Sequence, residues 1–264
     1  MLLREVEYAK PSSVAEALEL LGGNDGARAL AGGQTLINVM KARAASPDAL
    51  VDLNGIEELK GIELGADGTL TIGAMTTYSE LVDSAEARAR PILGEVCAQI
   101  ADVQVRNRGT IGGNLCSNDP TNHLPPLIAA IGAELTIAGR GGERVVPASE
   151  FFLGVYLTAV AQDELLTSIS IKPGRHDGFA AVTLGIDGTC IANAAASMNG
   201  TLRIALGCVD AVPVVVETDS PEQARRSVRA VGLTPPADVH ASADYRLHLA
   251  QVLATRAAEE AAAR

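Results

Sequence analysis

Two glycine-rich segments interrupt an otherwise regular alternation of strand and helix patterns, and both must be tight turns or close approaches of backbone. They are Ala31-Gly32-Gly33-Gln34-Thr35 and Arg106-Asn107-Arg108-Gly109-Thr110-Ile111-Gly112-Gly113-Asn114-Leu115. Consecutive glycines let main-chain N–H groups approach a ligand with no Cβ in the way. The first segment stands between an apolar strand, 27–31, and a helical pattern carrying Leu36, Val39 and Met40. A helix start there would add partial positive charge for an anion such as a pyrophosphate. By itself such a turn is a weak signal and serves structure more often than binding. The second segment adds a hydroxyl and two amides to its glycines, more polar groups than a structural loop requires. Its peptide amides and Thr110 could form a nest for a diphosphate, and the Asn114 amide could pair with a cofactor oxygen. Arg106 and Arg108 are read as surface charges. Neither the G-x-G-x-x-G dinucleotide signature nor a phosphate-loop lysine motif is present, so a bound nucleotide needs another design.

The surrounding pattern predicts compact α+β units. Ser13 and Glu16 read as a capping box opening a helix with Val14, Ala17, Leu18 and Leu21 inward, and a β-α-β-α-β unit results. Asp67–Gly68 predicts a hairpin, Thr77 and Glu80 a second capping box, and Pro91 a helix reaching Ala101. The stretch from Asn107 to Pro120 reads as irregular, and helix 125–131 and strands 134–138, 144–146 and 165–171 follow. Lys172-Pro173-Gly174 is the best domain boundary. Beyond it lie two strands flanking Asn199–Gly200, a strand 212–217, a helix from Ser220-Pro221, and an Ala-rich helix over 243–263. With no Trp and 3% aromatics, the core must be built from Ala, Val, Leu and Ile.

Charge and cysteine usage exclude several functions. A net charge of −11 argues against a nucleic-acid partner, whose phosphates require a basic face. The N-terminus lacks a secretory signal and no apolar stretch approaches a membrane span, so a cytoplasmic protein is expected. Cys97, Cys116, Cys190 and Cys208 are too scattered for a local zinc or iron–sulfur site or a disulfide framework, and buried reduced thiols are the expectation. No acid–base pair or metal site is evident, and no catalytic residue is nominated.

The pair A-G-G-Q-T-L at 31–36 and R-N-R-G-T-I-G-G-N-L at 106–115, in this order, resembles the medium, flavin-binding subunits of molybdenum hydroxylases. That group includes the carbon monoxide dehydrogenase medium subunit and the xanthine dehydrogenase flavin domain. Further similarity runs through 72–77, Phe151–Gly154, 164–169, 203–209 with Pro213, and 243–246, so the resemblance covers essentially the whole chain. It implies an α+β fold of the FAD-binding type 2 class, similar to vanillyl-alcohol oxidase. Residues 1–172 would form the FAD-binding domain (subdomains about 1–55 and 56–172), and 173–264 a C-terminal domain with an antiparallel sheet and helices. It implies non-covalent FAD held by Leu30, Ala31, Gly32, Gly33, Gln34, Thr35, Leu36 and Ile37 and by Thr110, Gly112, Gly113 and Asn114. Ser117 and Asp119 are further contacts, and Leu166 lies near the flavin ring. Ile100 stands where some relatives stack an aromatic ring, and His123 where many carry an acidic residue facing cofactor hydroxyls. The stretch Phe179–Asn193 lacks the relatives' basic cluster, and Asp187–Gly188 suggests a tight turn instead. The resemblance further implies a large molybdopterin-binding partner and a small [2Fe-2S] partner, assembled as a dimer of heterotrimers. The alternatives are a free-standing FAD oxidoreductase and a nucleotide-sensing or assembly protein with a degenerate flavin site.

Overall fold

The computed structural model describes residues 3–185 and 188–264. Its N-terminal unit is a three-stranded parallel sheet of β1 (Glu7–Ala9), β2 (Ala27–Leu30) and β3 (Ala49–Asp52), in the order β1-β3-β2. Helices α1 (Val14–Gly23) and α2 (Leu36–Lys41) form the crossovers. The Ser13 hydroxyl accepts the Glu16 N–H at 3.2 Å and starts α1. The predicted capping box is only half formed, because the Glu16 carboxylate accepts from the N–H and hydroxyl of Ser12, not from Ser13. Ala17, Leu18 and Leu21 of α1 share a core with Ala27, Val51 and Leu53, and each buried leucine contributes about 1.5–3 kcal/mol. Because β2 and β3 are parallel, their carboxyl ends open on the same side, where α/β sheets place ligands.

The chain then builds a five-stranded antiparallel sheet from β4 (Ile62–Leu64), β5 (Leu70–Gly73), β6 (Glu134–Gly139), β7 (Gly142–Pro147) and, after the short pair β8 (Phe152–Gly154) and β9 (Leu157–Thr158), β10 (Leu165–Ile171). Its order is β4-β5-β10-β6-β7. Gly68, at φ +82°, makes the hairpin turn. Thr77 and Glu80 form the full reciprocal box that opens α3 (Tyr78–Asp83). Helices α4 (Ile92–Cys97), α5 (Val103–Arg106), α6 (Ile111–Ser117), α7 (Leu124–Ile131) and α8 (Ala148–Phe151) follow. The helix expected from Pro91 to Ala101 stops at Cys97, and Ala101 adopts a left-handed φ of +43°. The stretch 107–120, read as irregular, contains α6. Its glycines serve packing as well as turning: a Cβ on Gly112 would lie 2.6 Å from the Ala74 carbonyl oxygen.

The last sheet is antiparallel, with β11 (Asp177–Leu184), β12 (Thr189–Asn199), β13 (Thr201–Gly207) and β14 (Val214–Thr218) in sequential order, covered by α9 (Pro221–Ala230) and α10 (Ala243–Ala263). Gly200, at φ +83°, turns the predicted Asn-Gly hairpin. Ala250, Ala254, Ala257, Ala258 and Ala261 of α10 are fully buried with Ala192, Ala194 and Ala196 of β12. Small side chains on both surfaces let helix and sheet approach so closely that a Cβ on Gly178 would sit 2.1 Å from the Ala257 carbonyl oxygen. The predicted turn at Asp187–Gly188 falls partly outside the described residues, which omit Asp187; Gly188 has φ +71°. The buried Arg90 guanidinium donates to both carboxylate oxygens of Asp177 (2.8 and 2.7 Å), to the Lys172 carbonyl and to the Ser197 hydroxyl, tying the second unit to the last sheet. Among the described residues no helix is long and apolar enough to cross a membrane.

Candidate functional site

The two glycine segments meet. The Gly32 position lies so close to the second segment that a Cβ there would sit 2.1 Å from the Arg108 carbonyl oxygen, and one on Gly113 would lie 3.3 Å from the Ala31 Cβ. Beside this junction opens a polar cleft of about 260 Å³ lined by Leu30, Ala31, Gly32, Gly33, Gln34, Ile37, Asn38, Lys41, Asp52, Asn54 and Arg108. Ligand pockets run from about 300 Å³ upward, so the cleft suits the polar middle of a dinucleotide rather than the whole of one. Gly33 has φ +74°, a left-handed turn residue of the kind that points successive amides inward.

The two segments differ in what their amides do. The N–H groups of Gly32, Gly33, Gln34 and Thr35 meet no acceptor among the described residues. Four amides of the second segment are already spent. Ile111 donates to the Thr76 carbonyl (3.0 Å), Gly112 to Ala74 (2.8 Å), Gly113 to the Thr110 hydroxyl (3.1 Å) and Asn114 to the Thr110 carbonyl (3.0 Å). Thr110 caps α6, so residues 111–114 form a helix start whose amides have acceptors within the protein. Arg108 is the residue of the second segment that lines the cleft, while Thr110, Gly112, Gly113 and Asn114 lie outside its lining, and the first segment contributes the free donors. The positive charge at the cleft comes from Lys41 and Arg108, both exposed, neither meeting a carboxylate among the described residues. Arg108, read from the sequence as a surface charge, lines the cleft. Arg106 instead caps the carbonyls of Ile100 and Ala101 at 3.0 and 2.9 Å.

Asp52 closes the other side. Its Oδ1 accepts from the Asn54 N–H (2.9 Å) and side-chain amide (2.6 Å), and its Oδ2 accepts from the Tyr8 hydroxyl. Burial pushes its carboxyl up, but the hydrogen bonds from Tyr8 and Asn54 outweigh that and hold it below the ordinary aspartate value.

The remaining predicted residues divide into two further sets. Asn114, Ser117 and Asp119 form a bonded loop system. The Asn114 side chain donates to the Tyr78 hydroxyl (2.9 Å), and its Oδ1 is buried without a donor. Ser117 donates to the Asn114 carbonyl (2.8 Å). Asp119 accepts from Thr121 and from the Tyr156 hydroxyl (2.9 Å). Leu166 and His123 are buried, Ile100 is half-buried against the same core, and none of the three lines the cleft. His123 packs its ring 5.3 Å from that of Phe179, and its Nδ1 lies 3.3 Å from the Asn193 amide. The Asn193 amide also contacts Cys190 at 3.3 Å. A hydrogen bond from Cys208 pulls the Cys190 thiol below its ordinary value against the opposing effect of burial, with His123 and Asn193 assisting; Cys208 is pushed up in return. Burial pushes the Cys116 thiol up to about 12. All four cysteines are free thiols. Thr35 and Leu36 lie at the start of α2, outside the residues lining the cleft.

Asn38, Lys41, Asp52 and Asn54 were missed in the sequence. Their signal is positional: Asp52 ends β3, Asn54 lies just past it, and Asn38 and Lys41 follow β2 in the same crossover.

Comparison with known proteins settles the family. Residues 4–173 match the family described as the FAD binding domain in molybdopterin dehydrogenase. The chain belongs to this family. It is 38% identical to the carbon monoxide dehydrogenase medium chain of Afipia carboxidovorans, over 100% of this chain and 99% of the relative. It is 30% identical to the xanthine dehydrogenase FAD-binding subunit of Escherichia coli O157:H7, over 97% and 96%. Among solved structures, carbon monoxide dehydrogenase from Hydrogenophaga pseudoflava superposes with a TM-score of 0.92 at 34% identity, covering 100% of this chain and 99% of that one. These matches bear out the FAD-binding fold and the family inferred from the glycine segments. The cleft fits the diphosphate of FAD on its own terms, with amides that meet no acceptor and cations that meet no carboxylate among the described residues, and an Arg108 carbonyl that would collide with any Gly32 side chain.

Proposed function

We propose that the chain is the FAD-binding electron-transfer subunit of a heteromeric molybdenum hydroxylase, placed between iron–sulfur clusters on a small partner and a final acceptor. A large partner would hold the molybdopterin, and the assembly would be a cytoplasmic dimer of heterotrimers. Residues 1–172 would serve as the FAD-binding domain and 173–264 as a separate C-terminal domain.

The observation that carries this reading is the run of amides from Gly32 to Thr35 that meet no acceptor among the described residues, in a turn whose Gly32, Gly33 and Gln34 line the cleft beside Arg108 of the second glycine segment. Bound non-covalently, FAD would supply the redox chemistry. The chain's own residues bind and orient. Amides 32–35 would donate to the diphosphate oxygens, and charge-assisted bonds of this kind contribute about 1.5–3 kcal/mol each. Lys41 and Arg108 would offset the remaining charge. Asn114 Oδ1, buried and lacking a donor, is suited to accept from a cofactor hydroxyl. Leu166, Ile100 and His123 would border the ring side, and Ser117 and Asp119 would fix the loop between the two regions.

The test is the flavin content of the purified chain. A yellow protein that releases one equivalent of FAD on denaturation is expected; an apoprotein that cannot take up FAD would overturn the reading.

A further inference from the structure

Four consecutive peptide planes, from Ala31 to Thr35, share one arrangement. The carbonyl of each is held. Ala31 accepts from the Asn54 side-chain amide at 3.1 Å, Gly32 from the Gln34 side-chain amide at 3.2 Å, Gly33 from the Ile37 N–H at 3.3 Å, and Gln34 from the Asn38 side-chain amide at 2.7 Å. The N–H at the other end of each plane belongs to Gly32, Gly33, Gln34 and Thr35, the groups that meet no acceptor among the described residues. In a planar trans peptide the carbonyl and the N–H point in opposite directions. A donor that holds the carbonyl on one side therefore aims the N–H at the other.

Only one of these four restraints, Ile37 to Gly33, is an ordinary helical bond. The other three come from side-chain amides, and all three of their owners line the cleft. Asn54 is itself braced by Asp52, through both its N–H and its side chain, and Asp52 is held in turn by Tyr8. A hydrogen-bonded chain from β1 through the end of β3 thus terminates on the first peptide of the glycine turn.

We propose that Asn54, Gln34 and Asn38 are positioning residues that aim the four free amides at the cofactor diphosphate. The inference rests on the reading of the cleft as the diphosphate site. Gln34 acts by turning its side chain back on the Gly32 carbonyl, leaving only its main-chain N–H for the ligand. Preorganised donors cost no reordering on binding. Releasing one plane lets its N–H swing away, and a weakening of about 3–10-fold per released plane is expected, since tenfold corresponds to about 1.4 kcal/mol.

The experiment uses the full-length chain stripped of flavin, with Asn54→Ala and the exposed Asn38→Ala as separate variants. Dissociation constants for FAD and for ADP, the ³¹P resonances of bound FAD, and the melting temperature of the flavin-free chain are measured. The expected result is a 3–10-fold rise in Kd for both ligands, displaced ³¹P resonances, and flavin-free melting temperatures close to wild type for Asn38→Ala. Wild-type uptake of FAD with unchanged Kd in both variants would overturn this inference alone, as would weaker binding with unmoved ³¹P resonances. Failure of the wild-type chain to bind FAD would sink the cleft assignment and this inference with it.

Discussion

Gly32→Ala is the smallest change that separates the two glycine segments. A Cβ at this position would sit 2.1 Å from the Arg108 carbonyl oxygen, 2.8 Å from its carbon and 2.9 Å from the Gly109 Cα. An ordinary C···O contact is about 3.3 Å, so the backbones must part by roughly 1 Å. The obstacle is main chain on both sides, and no rotamer relieves it. Overpacking of this kind costs about 1–3 kcal/mol, which lowers the melting temperature by roughly 2–12 °C in a chain of this length. The effect on binding should be larger in proportion, because the displaced wall carries the amides. Loss of one charge-assisted hydrogen bond of about 1.5–3 kcal/mol raises the Kd for FAD at least about tenfold. The assay is fluorescence titration of the flavin-stripped chain with FAD, beside thermal melting without ligand. Gly23→Ala is the control, since a Cβ there meets nothing within 4 Å and its φ is not left-handed. Wild-type affinity in Gly32→Ala would refute the claim that the junction of the two segments forms the binding wall.

Gly112→Val should act on folding more than on binding, because the new side chain strikes Ala74 rather than the cleft; a low yield or a melting temperature well below wild type is expected, and a stable, flavin-free variant would contradict this. Arg108→Gln and Lys41→Gln should each weaken FAD binding several-fold and reduce its salt dependence; titrations at two salt concentrations check this. Asp177→Ala leaves the Arg90 charge buried and unpaired and should cost about 3–5 kcal/mol, read by chemical denaturation.

Much of the architecture is legible in the sequence because local signals agree with tertiary packing. The α1 start at Ser13, the box at Thr77 and Glu80, and the hairpins at Gly68 and Gly200 are all set by residues within a few positions of one another. The break after Cys97 and helix α6 are harder to read. Ala101 enters the left-handed region with no local sequence reason, and the first turn of α6 carries two glycines, of which Gly112 packs against and bonds to Ala74, far away in the chain. The same limit applies to the site. Glycine pairs announce where backbone must come close, so both segments are visible. Whether an amide is free or spent depends on acceptors such as Thr76 and Ala74 brought in from β5 and its following turn. Hence the sequence shows the glycines of the second segment, but not that the amides of 111–114 already have acceptors. Arg108 shows the converse: its charge is visible, but its place at the cleft follows only from the meeting of the two segments.

Amide hydrogen exchange on the full chain, with and without FAD, tests the central claim most directly. Slowed exchange at Gly32, Gly33, Gln34 and Thr35 on adding FAD, with little change at residues 111–114, is the predicted pattern. Protection confined to 111–114, or none at 32–35 under saturating FAD, would contradict the assignment of the first glycine turn as the diphosphate donor.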